Sequence, residues 1–331
     1  MQTIFNTPAP SFNIEEALNI IRKEYDLNGE IKELYSDRDQ NFHIANKSKN
    51  FILKISNPAE QISVLDLQDK AVEYILKNHT NIQIPKRIGP IIQKEKDGKI
   101  FLVRLLNYIE GNFLHEKKIT KSRHKDIGVF LAKLNNALEG FDHPGAHRKF
   151  DWDVRQTGLI EKKLKYITPI DQKTIRHFLN EFEKNIIPFR NELKMSIIHN
   201  DANDHNIMID KEGKMIGIID FGDMVYSYRA LDPAICMAYI AQDNDQVLPY
   251  ISSMLCGYRS ACHLNQMELN SLPYLMCLRL CITVLMAAWR KRLFPKNKYL
   301  TISEKPAWKI LRAMETINLQ DWSDKMIRHA H

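Results

Sequence analysis

The stretch IIHNDANDHNIMIDKEGKMIGIIDFGDM, residues 197–224, decides how the rest of the chain is read. It sets His199, Asp201, Asn206 and Asp220 at the spacings of a phosphoryl-transfer site. Asp201, with Asn206 five residues on, offers one carboxylate to orient an attacking hydroxyl and one amide oxygen to hold a magnesium ion. The apolar run over residues 215–219 reads as a strand that delivers Asp220 at its end, where a carboxylate bridges phosphate oxygens through Mg²⁺. Either half alone is a weak signal, because Asp and Asn side chains bond nearby backbone in many turns. Here the two halves are joined by a strand over 207–209, a turn over 210–214 and the strand over 215–219, the setting in which kinases carry these groups.

Composition sets the bounds. The chain has 331 residues, 44% of them hydrophobic and 26% charged, enough for two globular lobes without a disordered signature. The net charge of +7 is spread among acids with no basic arm or stripe, so no nucleic acid is expected, and no protein partner is evident. The start, MQTIFNTPAPSFN, lacks a basic region followed by an apolar one, so export is not expected. Five cysteines without a CxxC pair fit reduced, buried thiols and a cytoplasmic location. Residues 272–289, LPYLMCLRLCITVLMAAW, barely reach spanning length and are interrupted by Arg279, so a buried core helix is expected and no membrane.

Outward from the central stretch, the pattern is β-rich before it and helical around it. A helix over 14–25 capped by Asn13 precedes strands over 31–35, 41–45 and 51–56, a helix ending near 76, and extended segments over 82–92 and 99–105. Helices are expected over 121–138, 159–166, 173–193, 232–239, 246–262, 272–292 and 305–316, with Asp232-Pro233 as N-cap and first helical residue. The fold class is α+β, with a β-rich lobe over 1–106, a connection over 107–111 and a larger, mostly helical lobe over 112–331.

Lys54 alternates with Leu53 and Ile55 in the third strand, on the face that would cover a nucleotide. The glutamate that usually holds such a lysine is replaced by Gln68, which shares the inward helix face with Leu67, Ala71, Val72 and Ile75. No GxGxxG loop covers the phosphates; residues 36–41, with Asp39 among them, offer backbone and polar side chains instead. That, with the absence of an Ala-Pro-Glu element after Asp220, speaks against a eukaryotic-type protein kinase. The base would meet the backbone of the connection, at Tyr108 and Ile109.

The segments SDRDQNFHI (36–44), FILKISNP (51–58), FLVRLLNYIEG (101–111), HNDANDHNIMI (199–209) and GIIDFGDM (217–224) resemble the aminoglycoside phosphotransferase and choline kinase superfamily. Within it the chain looks most like the hydroxylysine kinase branch, over nearly its whole length. The resemblance implies a two-lobed, protein-kinase-like fold that phosphorylates a small hydroxylated amino acid, 5-hydroxylysine first among them, with GTP or ATP as donor. Lys54 would contact phosphates, Asp201 would serve the hydroxyl, and Asn206 and Asp220 would bind Mg²⁺. An aminoglycoside, choline or homoserine kinase is the alternative, and a weakly active nucleotide-binding pseudokinase, suggested by Gln68, is the alternative of another class.

Residues for the substrate's charged groups are less defined by pattern. Arg279 needs an anion, supplied by the protein or by a substrate carboxylate. Asp223 is read as aiding the metal or a substrate amine, or as bonding within its turn. Asp153, with Asp151 beside Trp152, offers either negative charge at a cleft or a surface turn. His199 is expected to brace its loop and His205 to face solvent.

Overall fold

The computed structural model describes residues 3–47, 49–78, 82–243 and 246–330. Two compact units divide the chain, Met1–Glu73 with Gln83–Glu110 and Tyr74–Ile82 with Gly111–His331. The segment Tyr74–Ile82 thus groups with the second unit, away from the β-rich part in which sequence alone places it. There the Tyr74 hydroxyl donates to the Glu139 carbonyl at 2.9 Å.

The first unit contains α1 (Ile14–Tyr25), β1 (Glu30–Leu34), β2 (Gln40–Ala45), β3 (Asn50–Ile55), most of α2 (Ile62–Asn78), β4 (Arg87–Lys96) and β5 (Lys99–Asn107). The strands form one antiparallel sheet in the order β1-β2-β3-β5-β4. Alternation in β2 buries Gln40, Phe42 and Ile44, and these apolar rings and branches meet Leu53, Ile55, Val103 and Leu105 from the neighbouring strands. Against this face lies α1, whose Ala17, Ile20 and Ile21 are buried. Its start is fixed by a capping box in which Asn13 accepts from the Glu16 N–H and Glu16 accepts from the Asn13 N–H.

In the second unit follow β6 (Asn112–Phe113), α3 (Lys121–Ala137), α4 (Thr157–Glu161), α5 (Pro169–Asn185), β7 (Met195–Ile198), β8 (Ile207–Ile209), β9 (Met215–Ile218), β10 (Val225–Tyr228), α6 (Leu231–Asp243), α7 (Val247–Ala261), α8 (Gln266–Leu293), α9 (Glu304–Met314) and α10 (Leu319–His329). Strands β6, β8 and β9 make one small sheet and β7 pairs with β10 in another. Among the described residues α8 is long and apolar enough to cross a membrane, yet 94% of its most apolar stretch is buried within the protein. It is the core helix around which α5, α6, α9 and α10 pack.

Helices α3 and α7 cross with their backbones touching. A Cβ on Gly128 of α3 would stand 1.9 Å from the Met254 carbonyl oxygen, and one on Gly257 of α7 would stand 2.0 Å from that of Lys125. Each glycine is the seat of the other helix. In an isolated helix Gly→Ala would gain about 1 kcal/mol. Here Gly128→Ala must push two backbones apart, and a loss of about 2–3 kcal/mol is expected. Thermal melting checks this, since the sign alone separates the crossing from simple helix propensity.

Candidate active site

The loop over residues 199–206 leaves β7 and returns into β8, and the Asp220–Asp223 turn leaves β9 and returns into β10. Because β10 pairs with β7, the two turns lie side by side. Both contain a non-glycine residue in the left-handed region, Asn200 at φ 63° and Asp220 at φ 61°, a conformation that persists where surrounding bonds impose it. For Asn200 the bonds are explicit. Its N–H donates to Asp232 Oδ1 at 2.7 Å, its Nδ2 to the Asp223 carbonyl at 3.2 Å, and its carbonyl accepts from Arg279 Nη1 at 3.2 Å.

Asp232 is the post to which this loop is tied. Its fully buried carboxylate accepts the His199 N–H at 3.2 Å, the Asn200 N–H at 2.7 Å and Asn135 Nδ2 at 2.7 Å. Helix α6 begins at Leu231, so Asp232 lies within its first turn and is not the cap expected from the Asp-Pro pair. The Asp220–Asp223 turn has its own clamp, Arg148, whose Nη2 donates to the carbonyls of Gly222 and Met224 at 2.8 and 3.0 Å.

Around Asp201 the protein's donors fill most of the carboxylate. Oδ1 accepts from Arg279 Nη2 at 2.7 Å and from Asn203 Nδ2 at 2.9 Å, while Oδ2 accepts from Asn206 Nδ2 at 2.7 Å. A carboxylate has about four acceptor positions, so one on Oδ2 is left over. Burial pushes the Asp201 carboxyl above its ordinary range, Asp223 and Asp220 add to this, and the Arg279 cation opposes it. Arg279 is buried on α8 with its guanidinium 4.3 Å from the centre of the Trp152 ring. The anion it requires is therefore Asp201 itself.

With Asn206 Nδ2 spent on the Asp201 carboxylate and carbonyl, its Oδ1 is the end able to ligate a cation. Asp220 accepts the Gly222 N–H on Oδ1 at 3.3 Å. An amide oxygen and a carboxylate on adjoining turns form an oxygen donor set suited to a hard divalent ion.

His199 braces both turns as a neutral ring: Nε2–H donates to the Ile219 carbonyl at 3.1 Å and Nδ1 accepts the Asp201 N–H at 3.3 Å. Burial holds its pKa below the ordinary 6.5. The unfolded chain therefore takes up this proton first as pH falls, and the stability His199 contributes above about pH 6.5 is lost progressively below it. In His199→Gln the slope of unfolding free energy against pH should flatten by about one proton between pH 6.5 and 5, which denaturant titrations measure.

One expectation for the substrate is corrected. Asp153 is fully buried and saturated by Ser227 Oγ at 2.8 Å and by Arg155, so it is an internal anchor. Asp151 pairs with Lys163. Asp223 is buried in its turn, where its carbonyl holds Asn200 and its carboxylate bears on Asp201. His205 is half-buried and stacks on His115 with ring centroids 3.9 Å apart.

In the first unit, Lys54 is buried in β3 with its ammonium 3.2 Å from the Asp39 carboxylate. Gln68 is inward-facing as the helical pattern demands, but its Oε1 accepts from Arg104 Nη2 at 3.0 Å. Arg104 is the cross-strand neighbour of Lys54 in the sheet. Two adjacent cations each need an anion: Asp39 serves Lys54, and Asp69, 3.7 Å away, serves Arg104. A carboxylate thus pairs with Lys54, while the Gln68 oxygen is engaged by Arg104. Asp39→Asn should lower kcat/KM for nucleotide about tenfold or more, the worth of a charge-assisted bond. Gln68→Ala should cost stability and leave nucleotide KM within about twofold, since its partner is Arg104. Nucleotide titrations on both variants decide between the two supports. At the connection, the Tyr108 N–H is spent on the Asn50 carbonyl at 3.2 Å and is no donor for a base, while Ile109 is buried.

In the second unit, two adjoining turns carrying an unsaturated carboxylate and an oxygen donor pair are what a kinase-like phosphotransferase requires. The chain belongs to the Phosphotransferase enzyme family (APH), whose profile matches residues 30–260. It is 28% identical to the hydroxylysine kinase of Mus musculus over 340 residues, covering 92% of this chain and 90% of that protein. Among solved structures, the amicoumacin kinase hAmiN in complex with AMP-PNP, Ca²⁺ and Ami superposes with a TM-score of 0.72 at 14% identity, covering 94% of this chain and 97% of that one. The GDP complex of aminoglycoside 2'-phosphotransferase-IIIa gives 0.64 at 14%, covering 92% and 99%. The protein is a small-molecule kinase with an α+β, protein-kinase-like fold, using a nucleotide as phosphoryl donor together with a divalent metal.

Proposed function

We propose that the chain transfers the terminal phosphoryl group of Mg²⁺-bound GTP or ATP to the hydroxyl of a small hydroxylated amino acid, 5-hydroxylysine first. The substrate class is supported by the four hydroxylysine kinases, from mouse, cattle, zebrafish and frog, that align along about nine-tenths of the chain. The observation that carries the chemistry is the single acceptor position left on Asp201 Oδ2. A substrate hydroxyl placed there is oriented and gives up its proton to a carboxylate that Arg279, Asn203 and Asn206 hold still.

Asn206 Oδ1 and Asp220 hold the metal, which neutralises charge on the phosphates when bound. Lys54, steadied by Asp39, contacts the phosphates. Base recognition falls to the Ile109 backbone and the carbonyls of the connection. Structures of this fold hold an adenine nucleotide in one case and a guanine nucleotide in another, so the screen below decides the base. A cytoplasmic location is part of the proposal, in keeping with five unpaired thiols.

The test is a screen of 5-hydroxylysine, homoserine, choline and an aminoglycoside, each with GTP and with ATP, measuring phosphorylated product. The highest kcat/KM is expected for 5-hydroxylysine. A preference of about tenfold or more for any of the other acceptors overturns the substrate assignment.

A further inference from the structure

A second cluster of metal-ligating side chains lies on the outer side of the catalytic loop. His115 sits in the short helical turn Leu114–Glu116 after β6, and Asp204 and His205 belong to the loop itself. The backbones are stitched together, with the His115 N–H donating to the Asp204 carbonyl at 3.2 Å. The His115 Nδ1 faces the same carbonyl at 3.4 Å, which favours the proton on Nδ1 and leaves the Nε2 lone pair free. The His205 N–H is fixed by Asn203 Oδ1 at 2.9 Å, the same asparagine that donates to Asp201. One ring nitrogen from each histidine and one Asp204 carboxylate oxygen lie within 4.8 Å of one another.

We propose that His115, Asp204 and His205 form a three-ligand site for a divalent transition metal of the zinc type, with its fourth position open. The donor set selects the ion. Two imidazoles and one carboxylate suit Zn²⁺ and its neighbours, whereas Mg²⁺ takes oxygen, so this site and the Asn206–Asp220 pair divide the two kinds of metal. Ligands about 2.1 Å from a tetrahedral zinc stand about 3.4 Å apart, so closure asks for up to about 1.4 Å of ligand movement and for one of the two stacked imidazoles to turn out of the stack so that both lone pairs meet the ion. His115 is exposed and His205 and Asp204 are half-buried, which leaves them room to turn. A bound ion would tie the segment after β6 to the catalytic loop. The competing account is an aromatic column, since Phe113 stacks on His115 at 5.6 Å and Tyr299 meets His205 edge-on at 6.0 Å.

The experiment titrates Zn²⁺ into chelator-treated, full-length protein in competition with a chromophoric chelator. One equivalent should bind, excess Mg²⁺ should not displace it, and His115→Asn and His205→Asn should each weaken it at least about tenfold. His147→Asn, at an exposed histidine paired with Asp142, should leave zinc affinity unchanged. Zinc should raise the melting temperature of the wild type but not of the double variant. Should that variant fail to fold, Co²⁺ bound to the wild type gives the answer: d–d bands of a tetrahedral nitrogen and oxygen site support the proposal, and thiolate charge-transfer bands overturn it. Equal zinc affinity in the folded double variant and the wild type also overturns it and leaves the aromatic column.

Discussion

Asp201→Asn is expected to cut turnover about 10²- to 10³-fold while nucleotide affinity stays within about threefold. The reason lies in how the carboxylate is filled. Arg279 and Asn203 occupy Oδ1, Asn206 occupies one position on Oδ2, and the substrate hydroxyl needs the other. An amide can keep its oxygen toward Arg279 only by turning its NH₂ toward the NH₂ of Asn206. Donor then meets donor, and the hydroxyl faces a donor in place of an acceptor. The nucleotide depends on other groups, so binding and turnover separate. Steady-state rates beside calorimetry on the same preparation measure both, and a turnover loss below about tenfold would remove Asp201 from the chemistry.

Asp220→Asn should abolish the metal-dependent part of nucleotide affinity, a loss of about 10²-fold or more in the presence of Mg²⁺. Asparagine is the informative substitution because Asp220 has φ 61°, which Asn tolerates, whereas Ala would add backbone strain to the loss of charge. Asn also keeps an oxygen for the Gly222 N–H, so the turn is preserved and only the anionic ligand is withdrawn. Calorimetry with and without Mg²⁺ isolates the effect. Equal affinity for the metal-bound nucleotide in variant and wild type would show that the ion is held elsewhere.

The sequence was most legible where the determinants are local. Alternation marked β2 and β3, whose buried residues face one core, and the motif over 197–224 carries Asp201, Asn206 and Asp220 within a single hairpin and its flanks. The same pattern reasoning ran together α4 and the helical turn Leu164–Tyr166, and α5 and the turn Ile187–Glu192, because short 3₁₀ turns keep apolar residues at nearly helical spacing. It passed over α10, whose start is signalled by Asn318 accepting from Gln320 and Asp321.

Which charges meet was not legible, because pairing depends on tertiary neighbours. Arg279 reaches Asp201 across 78 residues and Asn135 reaches Asp232 across 97. Gln68 shows the limit well: helical spacing correctly turned it inward, yet only the register of β3 against β5 reveals that Arg104 stands beside Lys54 and takes its oxygen. Arg148 gave no signal that set it apart from Lys149 beside it; only the structure shows it stacked on Phe150 at 4.2 Å.

The guanidinium on α8 also bears on the charge balance around Asp201. At Asp201, burial and the neighbouring Asp223 and Asp220 disfavour the charged carboxylate, and Arg279 opposes them. The acidic side chains of the two turns make a field that an added cation would relieve. A triphosphate arriving bare would be repelled by that field more than its metal complex would be. Under the function proposed above, nucleotide and cation would enter as a single species.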